Sequence, residues 1–260
     1  MRILFIGDVV GQPGRQALKT LLPGLQAERR VDLTIANAEN AAGGKGLTKA
    51  TAQEIFQQNV DFLTMGNHVW DQREILTFID TEERLIRPAN YPAGTPGRGY
   101  QIIRVQGSKV GVLNLSGRVY ATEHLDDPFA VATRWVSELK RQCEIVIIDM
   151  HAEATSEKMA LGWFLDGKVS AVLGTHTHIQ TADARILDQG TAYITDVGMT
   201  GSRDSVLGTK KELAIKKFLT QMPTRLEVAE GPVQLNAVVM DIDEQTGRAR
   251  DIQAIQCFDS

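Results

Sequence analysis

Short apolar runs alternate with segments of helical spacing along the first part of the chain. In order, the apolar runs and the helical segments between them cover residues 3–6, 13–25, 31–36, 48–58 and 61–65. Pro13 suits the first turn of one helix, and Thr48 is a suitable N-cap for the other. The alternation predicts a βαβ beginning whose strands are covered on both faces by other layers.

The middle of the chain is predicted to contain an irregular loop followed by further strands and a helix. Residues 87–99 hold three prolines and several glycines, which favours a loop without regular structure. The predicted strands and helix that follow are residues 101–105, 110–115, 128–141, 145–148 and 169–173, of which 128–141 is the helix. The strand-and-helix alternation therefore continues past the loop.

The last third of the chain is richer in strands. Residues 184–187 and 192–195 resemble a pair joined by a turn at Gly190, and residues 234–242 and 249–257 alternate with period two around a turn-forming segment. The sequence contains no internal repeat or low-complexity tract. These patterns predict an α/β fold of mixed type, with two mixed β-sheets packed as a sandwich and flanked by helices. We expect a single domain over residues 1–260.

Composition and charge fit an ordinary globular protein. Apolar residues make up 43% and charged residues 23% of the 260 residues, which allows a substantial core. The net charge of −4 offers no broad basic surface, so we do not expect duplex DNA as a partner. A local basic cleft for a small phosphate compound remains compatible with this charge.

The two cysteines and the first residues bear on the cellular compartment. Cys143 and Cys257 lie far apart in the sequence, which favours reduced, structural thiols. Gly7 and Asp8 interrupt the first apolar stretch, which is too short for a secretory signal or a membrane span. We therefore expect a cytoplasmic protein without a membrane partner.

Polar side chains recur at the ends of the predicted strands. A single such residue is most often a turn or helix cap. Here the pattern repeats five times, and four of the five histidines belong to it. The residues of the series are Asp8, Glu39, Asn40, Asn67, His68, His151, His176 and His178.

The chemistry of this series favours metal ions. Carboxylate oxygen, amide oxygen and neutral imidazole are ligands for manganese, iron or zinc, and two neighbouring ions need a shared carboxylate. Glu39 is the natural bridge. His176 and His178 stand two positions apart and would share one face of an extended chain. The alternative for this pair is two exposed loop histidines without a ligand role.

The order of the motifs resembles the calcineurin-like metallophosphoesterases, and within them the YmdB branch. The similarity covers residues 7–178. The motifs that carry it are Gly7-Asp8-Val9-Val10-Gly11, Asn37-Ala38-Glu39-Asn40, Gly66-Asn67-His68, His151 and Gly174-Thr175-His176-Thr177-His178. The resemblance implies a metallophosphoesterase-like fold and hydrolysis of phosphoesters.

The resemblance also implies two metal sites. By position, Asp8, Glu39, Asn40 and His178 would hold one ion, and Glu39, Asn67, His151 and His176 would hold the other. Val10 stands where the superfamily usually has a ligand histidine, and Glu39 stands where Asp is usual. Asn40 would fill that gap with an oxygen, which favours iron or manganese over zinc. We expect two divalent or mixed-valence ions.

By the same resemblance, the activity is hydrolysis of 2',3'-cyclic nucleotides such as 2',3'-cAMP by a metal-bound hydroxide. His68 is then the proton donor, since histidines change protonation near neutral pH. The other interpretation is that His68 only orients Asn67 or a phosphate. Arg15, Arg87, Arg98 and Arg118 are expected on the solvated surface and are left out of the site.

Other functions are compatible with the same ligand set. A phosphomonoesterase or an RNA phosphodiesterase would use the same metals, and a non-catalytic sensor would bind a phosphate ligand without turning it over. The expected partner is a small phosphoester or cyclic nucleotide. The Pro-rich loop and the C-terminal hairpin would suit a symmetric interface, which predicts a homo-oligomer.

Overall fold

Two β-sheets form the centre of the computed structural model, which describes residues 1–259. The strands of the first sheet are β1 (Arg2–Ile6), β2 (Asp8–Val9), β3 (Leu33–Asn37), β4 (Phe62–Thr64), β11 (Met199–Ser202), β12 (Val233–Ile242) and β13 (Ala249–Phe258). Their order in the sheet is β2-β11-β12-β1-β3-β4, and β13 also pairs with β12.

The strands of the second sheet are β5 (Tyr100–Val105), β6 (Ser108–Ser116), β7 (Ile145–His151), β8 (Ala171–Thr175), β9 (Arg185–Ile186) and β10 (Ala192–Ile194). Their order in the sheet is β5-β6-β7-β8-β10-β9. In each sheet parallel pairs such as β1 with β3 and β7 with β8 occur beside antiparallel pairs such as β1 with β12 and β5 with β6. The predicted pair of mixed sheets is therefore confirmed.

Helices cover the outer faces of both sheets. The α-helices of the described residues are α1 (Gly11–Arg29), α2 (Lys49–Phe56), α3 (Pro128–Lys140), α4 (Thr155–Leu165) and α5 (Lys211–Thr220), and 3-10 helices cover Asn67–Trp70 and Arg73–Thr77. Thr48 caps α2 as predicted, since its hydroxyl accepts a hydrogen bond from the Thr51 amide at 3.2 Å. None of the helices within residues 1–259 is both long and apolar enough to cross a membrane.

Alternation along the strands divides the core into layers. Ile3 and Phe5 of β1 face the second sheet and pack in one cluster with residues such as Ile147 of β7. Leu4 and Ile6 point the other way, toward α1 and α2. A third cluster fills the space between the second sheet and helices α3 and α4. The order of layers is thus helix, sheet, sheet, helix, and the predicted sandwich is confirmed.

Several elements differ from the sequence prediction. Helix α1 extends beyond residues 13–25 at both ends and includes Pro23, while Leu22 and Leu25 on either side keep it packed against the sheet. Strand β7 continues to His151, three residues beyond its predicted end. His151 therefore lies within a strand rather than after one. The strand continues because Asp149 is fully buried and hydrogen-bonded, although its charge interrupts the apolar pattern.

Candidate metal centre

The candidate site lies where strands of both sheets end. Asp8 begins β2 and is separated from the end of β1 by one residue, while Glu39 and Asn40 come after β3. Asn67 begins a 3-10 helix after β4, and His176 and His178 follow β8. Because β1, β3 and β4 run parallel, as do β7 and β8, each group delivers its polar residues to the same edge of its sheet.

Three of the predicted ligand side chains converge on His151. Its Nε2 lies 3.1 Å from Glu39 Oε1, 3.0 Å from Asn67 Oδ1 and 3.0 Å from His176 Nδ1. Glu39 and the two histidines each direct one donor atom to the same place, with these atoms within 4.8 Å of one another. This group could hold one metal ion, and together with Asn67 it unites all members of one predicted ligand set.

The ligands predicted for the other ion, Asp8, Glu39, Asn40 and His178, do not converge on one atom in the way that the first set does. Asp8 is fully buried, and the charges that act on its carboxylate include those of His178, His151 and Glu39. The ring of His178 donates from Nδ1 to the Leu207 carbonyl oxygen at 3.1 Å, which leaves Nε2 free to act as a ligand. Asn40 is buried, and its side-chain amide donates to the Gly44 carbonyl at 3.0 Å.

Unsatisfied oxygens in this region fit a cation. Asp8 Oδ1 and Asn40 Oδ1 are both buried without a hydrogen-bond partner among residues 1–259. A buried polar atom without a partner is costly, and a metal ion is one way to satisfy it. Carboxylate, amide and imidazole donors are also the set that manganese and iron accept. The residues present therefore fit metal ions.

Gly66 makes room for the cluster. A Cβ atom at this position would lie 2.3 Å from Glu39 Oε2 and 2.3 Å from His151 Nε2. Any larger residue would push the carboxylate and the imidazole away from Asn67, the next residue in the chain. The close approach explains why glycine precedes the Asn67-His68 pair here.

The buried carboxylate of Asp149 holds neighbours of the proposed ligands in place through hydrogen bonds. Asp149 Oδ1 accepts a hydrogen bond from the Thr175 hydroxyl at 2.7 Å, and Thr175 Oγ1 lies 2.9 Å from His151 Nδ1. Asp149 Oδ2 accepts a hydrogen bond from the side-chain amide of Asn37 at 3.0 Å. Asn37 Oδ1 in turn accepts one from the backbone amide of Glu39 at 3.1 Å. One side chain thus links β3 of the first sheet to β7 and β8 of the second. The strand-end pattern in the sequence missed it.

A buried ion pair holds the segment between the two histidines. Lys158 Nζ donates to Asp196 Oδ2 at 2.8 Å, and both side chains are inaccessible to solvent. The same carboxylate oxygen accepts from the amide and hydroxyl of Thr177 at 3.0 and 2.7 Å. His176 and His178 flank Thr177 with φ angles of 102° and 67°, a region that favours glycine. The ion pair therefore stabilises a strained segment.

The close charges shift the pKa values of these groups. Burial and the neighbouring carboxylate Glu39 raise the pKa of Asp8 to about 6, against the attraction of His178 and His151. For Glu39 burial also opposes ionisation, but the charge and hydrogen bond of His151 lower the pKa to about 2.

The two histidines of the cluster shift in opposite directions. Burial disfavours the charged ring of His151, yet Glu39, Asp8 and Asp149 raise its pKa to about 9. Burial and repulsion from His151 lower the pKa of His176 to about 3. In the absence of metal the buried His151 and Glu39 therefore form an ion pair, beside a neutral His176.

His68 stands apart from the cluster. Its ring Nδ1 lies 2.9 Å from Asp71 Oδ2, and its backbone amide donates to Glu39 Oε2 at 3.0 Å. The strand-end pattern does not mark Asp71, although it lies three residues after His68, a spacing that brings side chains together in a helical turn. The carboxylate fixes the orientation of the imidazole.

One predicted surface residue is buried. Arg87 is only 6% exposed, and its guanidinium donates to the carbonyl oxygens of Pro88, Thr95 and Pro96, each at 2.7 Å. The expectation that Arg87 is solvated is therefore wrong, because the Pro-rich loop uses it as an internal scaffold. Arg118 is exposed, as expected.

A pocket of about 140 Å³ adjoins the cluster. Asn67, His151 and His176 line the pocket together with residues 119–123. His68 is not among the lining residues. The pocket gives a small molecule access to the converging donor atoms.

Comparison with known proteins places this geometry in a family. A Bacillus subtilis protein named 2',3'-cyclic-nucleotide 2'-phosphodiesterase is 53% identical over 255 residues, covering 98% of this chain and 96% of that protein. The crystal structure of a hypothetical protein from Thermus thermophilus is 42% identical, with a TM-score of 0.94 and 100% of both chains covered.

A second crystal structure, of a novel phosphatase from Mycoplasma pneumoniae, is 36% identical, with a TM-score of 0.94 and coverage of 99% of this chain and 93% of that one. The family model described as YmdB-like protein matches residues 4–255. The resemblance seen in the motifs is confirmed, and the chain belongs to the family of YmdB-like proteins.

Proposed function

We propose that the protein is a metal-dependent phosphodiesterase that hydrolyses 2',3'-cyclic nucleotides such as 2',3'-cAMP. The observation that carries this proposal is the relative from Bacillus subtilis, which bears that activity in its name and matches nearly the whole chain. The donor atoms around His151 support the chemistry, because they form a group suited to a metal ion.

In this proposal the chain holds two ions with the ligands expected from the motifs. Asp8, Glu39, Asn40 and His178 bind one ion, and Glu39, Asn67, His151 and His176 bind the other. When bound, the ions supply positive charge against the phosphate oxygens and acidify water. The amide oxygen of Asn40, where Val10 takes the place of a histidine, favours iron or manganese over zinc.

The side chains of the protein complete the reaction. Water attacks phosphorus and loses one proton to the solvent, a new P–O bond forms, and the bond to one ribose oxygen breaks. His68 gives its proton to the departing ribose oxygen, and the ring is held for this transfer by Asp71 at 2.9 Å. By analogy with the Bacillus protein the bond that breaks is the one to the 2' oxygen, which leaves a 3'-nucleotide.

The proposed partner is a small phosphoester, in keeping with the net charge of −4 and a pocket of about 140 Å³. Duplex DNA is not part of the proposal, since its phosphates require a broad basic surface. A cytoplasmic location and a homo-oligomeric state stay predictions from the sequence.

A substrate panel tests the proposal. The manganese-loaded protein is compared on 2',3'-cAMP, on bis(p-nitrophenyl) phosphate and on p-nitrophenyl phosphate. We expect the highest kcat/KM for the cyclic nucleotide. His68→Ala should lower kcat by about 10²- to 10⁴-fold while the bound metal is retained.

His124→Ala serves as the matched control, because it removes an exposed histidine outside the metal cluster. Its kcat should match that of the unaltered protein. Preference for the monoester would favour a phosphomonoesterase, and loss of metal from His68→Ala would make His68 a ligand or a support rather than the proton donor.

A further inference from the structure

One wall of the pocket beside the proposed metal ligands takes no part in the proposed reaction. Residues 119–123 form this wall, and Asn67, His151 and His176 also line the pocket. A phosphate held at the cluster would occupy only the cluster side of a cavity of about 140 Å³. The remaining space must accommodate another part of the substrate.

Tyr120 is the most exposed large apolar side chain of this wall. Its side chain is 85% exposed, so its ring contributes nothing to the core. Its φ angle is 63°, which is unfavourable for a bulky aromatic residue. Such backbone strain persists only where the surroundings impose it, and it concentrates at functional positions.

The chain on the N-terminal side of Tyr120 is rigidly fixed. The Glu157 carboxylate, at the start of α4, accepts hydrogen bonds from the amides of Arg118 and Val119 at 2.9 and 3.2 Å. Gly117 passes so close that a Cβ there would lie 2.5 Å from Glu157 Oε2. The Ala121 amide closes the turn on the Arg118 carbonyl at 3.2 Å.

The base of the same loop is held by one buried side chain. Asn90 donates to the carbonyls of Ser116 and Asp126 at 2.8 and 3.1 Å, and it accepts from the Ser116 amide at 2.9 Å. Since Ser116 and Asp126 flank the loop, Asn90 joins its two ends. The backbone that carries Tyr120 is therefore positioned from both sides, while its ring remains free.

The charge of the pocket selects what can lie beside this ring. Glu123 and Glu153 both line it, and within residues 1–259 neither is paired with a lysine or arginine, although Glu153 Oε2 lies 3.1 Å from His176 Nε2. A second phosphate placed here would meet like charge, which is unfavourable in a partly enclosed site. A neutral planar ring with N–H donors meets no such repulsion, and it offers hydrogen bonds to the carboxylates.

We propose that Tyr120 forms the stacking platform of a nucleobase subsite, with Glu123 as a hydrogen-bond acceptor at its edge. The inference rests on the proposed function, since the base belongs to the cyclic nucleotide whose phosphate lies at the metal cluster. Stacking of a base on an aromatic ring is tolerant of base identity, because every base has a π face. The subsite thus recognises a nucleotide as a class and disfavours an extended polyphosphate.

The test compares Tyr120→Ala and Tyr120→Phe in the manganese-loaded protein. Loss of stacking should raise KM for 2',3'-cAMP by about ten- to a hundredfold in Tyr120→Ala, with a smaller change in kcat. In Tyr120→Phe the KM should stay within about twofold of that of the unaltered protein, because the stacking face is kept. Trp163→Ala, which removes an exposed aromatic of α4 outside the pocket, should leave KM unchanged.

A substrate without a base separates stacking from a general effect on the loop. On glycerol 1,2-cyclic phosphate, Tyr120→Ala should lose much less kcat/KM than on 2',3'-cAMP. An equal loss on both substrates, or an unchanged KM for 2',3'-cAMP, would overturn the subsite.

Binding of adenosine distinguishes failure of the subsite from failure of the proposed function. Adenosine carries no phosphate, so its affinity, measured by calorimetry on the manganese-loaded protein, does not depend on turnover. Affinity that falls about tenfold or more in Tyr120→Ala supports the subsite even if 2',3'-cAMP is not hydrolysed. Turnover of 2',3'-cAMP with no detectable contribution of Tyr120 to adenosine binding overturns the subsite and leaves the proposed function standing.

Discussion

His151 joins the two sides of the candidate site through its two ring nitrogens. Its Nδ1 faces the Thr175 hydroxyl, which donates its own proton to Asp149. Thr175 Oγ1 must then accept from His151, so Nδ1 carries a hydrogen and Nε2 is the atom left for a metal in the neutral ring. The chain of hydrogen bonds selects the tautomer that can bind an ion.

Loss of the hydrogen bonds that link His151, Thr175 and Asp149 should weaken metal binding without removing a ligand. Thr175→Val deletes the hydroxyl at nearly constant volume, and we expect the affinity for Mn²⁺ to fall by about 10- to 100-fold. Calorimetric titration of the metal-free protein measures this loss. Thr175→Ser is the control, since it keeps the hydroxyl and should retain most of the affinity. Equal affinities for the three proteins would contradict this role of Thr175.

Metal binding should depend on pH through His151. In the metal-free protein the pKa of His151 is raised to about 9, so the ring is protonated at neutral pH and must lose that proton to bind an ion. The affinity for Mn²⁺ should therefore rise with pH, by up to about tenfold per unit between about pH 6.5 and 8.5, as proton competition falls.

Below about pH 6 the dependence should become steeper. The pKa of Asp8 is raised to about 6, so a second proton then competes with the metal. Titrations in buffers of different ionisation enthalpy count the protons released. A pH-independent affinity, with no proton released, would contradict the proposed role of His151 as a ligand.

Single residues were predicted unevenly from the sequence. The strand-end pattern found the side chains that converge on His151, because β-strand topology brings such positions together. It missed Asp149 and Lys158, which lie inside a strand and a helix and act only through contacts with distant parts of the chain. The prediction of a solvated Arg87 is wrong for the same reason, since burial of a charged residue depends on partners that the local sequence does not reveal.

At the scale of elements, the segment after β8 depends on its anchorage to α4 and to the segment after β10. Lys158 and Asp196 provide that anchorage from a fully buried position. Removal of one partner leaves an uncompensated charge in the core. Lys158→Met should therefore lower the free energy of unfolding by about 3–5 kcal/mol, measured by denaturant titration.

A double variant separates the contribution of the ion pair to stability from its role in positioning His176 and His178. Lys158→Met combined with Asp196→Leu removes both charges and should recover much of the lost stability. It also removes the acceptor for Thr177, so the affinity for Mn²⁺ should remain low because His176 and His178 lose their fixed conformation. Recovery of both properties would show that the ion pair does not position the histidines.

The sequence predicts helices and strands well where their apolar residues all lie on the side that packs against a neighbouring layer. Helices α1, α2 and α3 and the hairpin of β12 with β13 follow such patterns, and the predicted bounds differ by a few residues. Helix α4 was missed because Glu157 and Lys158 lie on its buried side, so no purely apolar stripe marks it. Helix α5 was missed because its large apolar residues Ile215, Phe218 and Leu219 are exposed.

At the scale of the whole molecule, the two sheets share one core. A single hydrophobic cluster combines Ile3 and Phe5 of the first sheet with Val112 and Ile147 of the second. Asp149 accepts a hydrogen bond across the same interface from the side chain of Asn37 in β3. Neither sheet keeps its inner face covered without the other, and we propose that residues 1–260 form a single domain.

A single domain predicts one cooperative unfolding transition. Thermal unfolding of the metal-free protein followed by calorimetry should give one peak, with a calorimetric enthalpy equal to the van't Hoff enthalpy. Near-ultraviolet and far-ultraviolet circular dichroism should report the same midpoint. Two separated transitions would mean that the sheets unfold independently and would contradict the single domain.

Two-metal hydrolysis is best tested by a titration of the metal-free protein with Mn²⁺ in which bound metal per chain and the rate of 2',3'-cAMP hydrolysis are measured on the same samples. Two ions should bind per chain, and the rate should reach its maximum only with the second ion. Full activity with one ion per chain, or two bound ions without hydrolysis of 2',3'-cAMP, would contradict it.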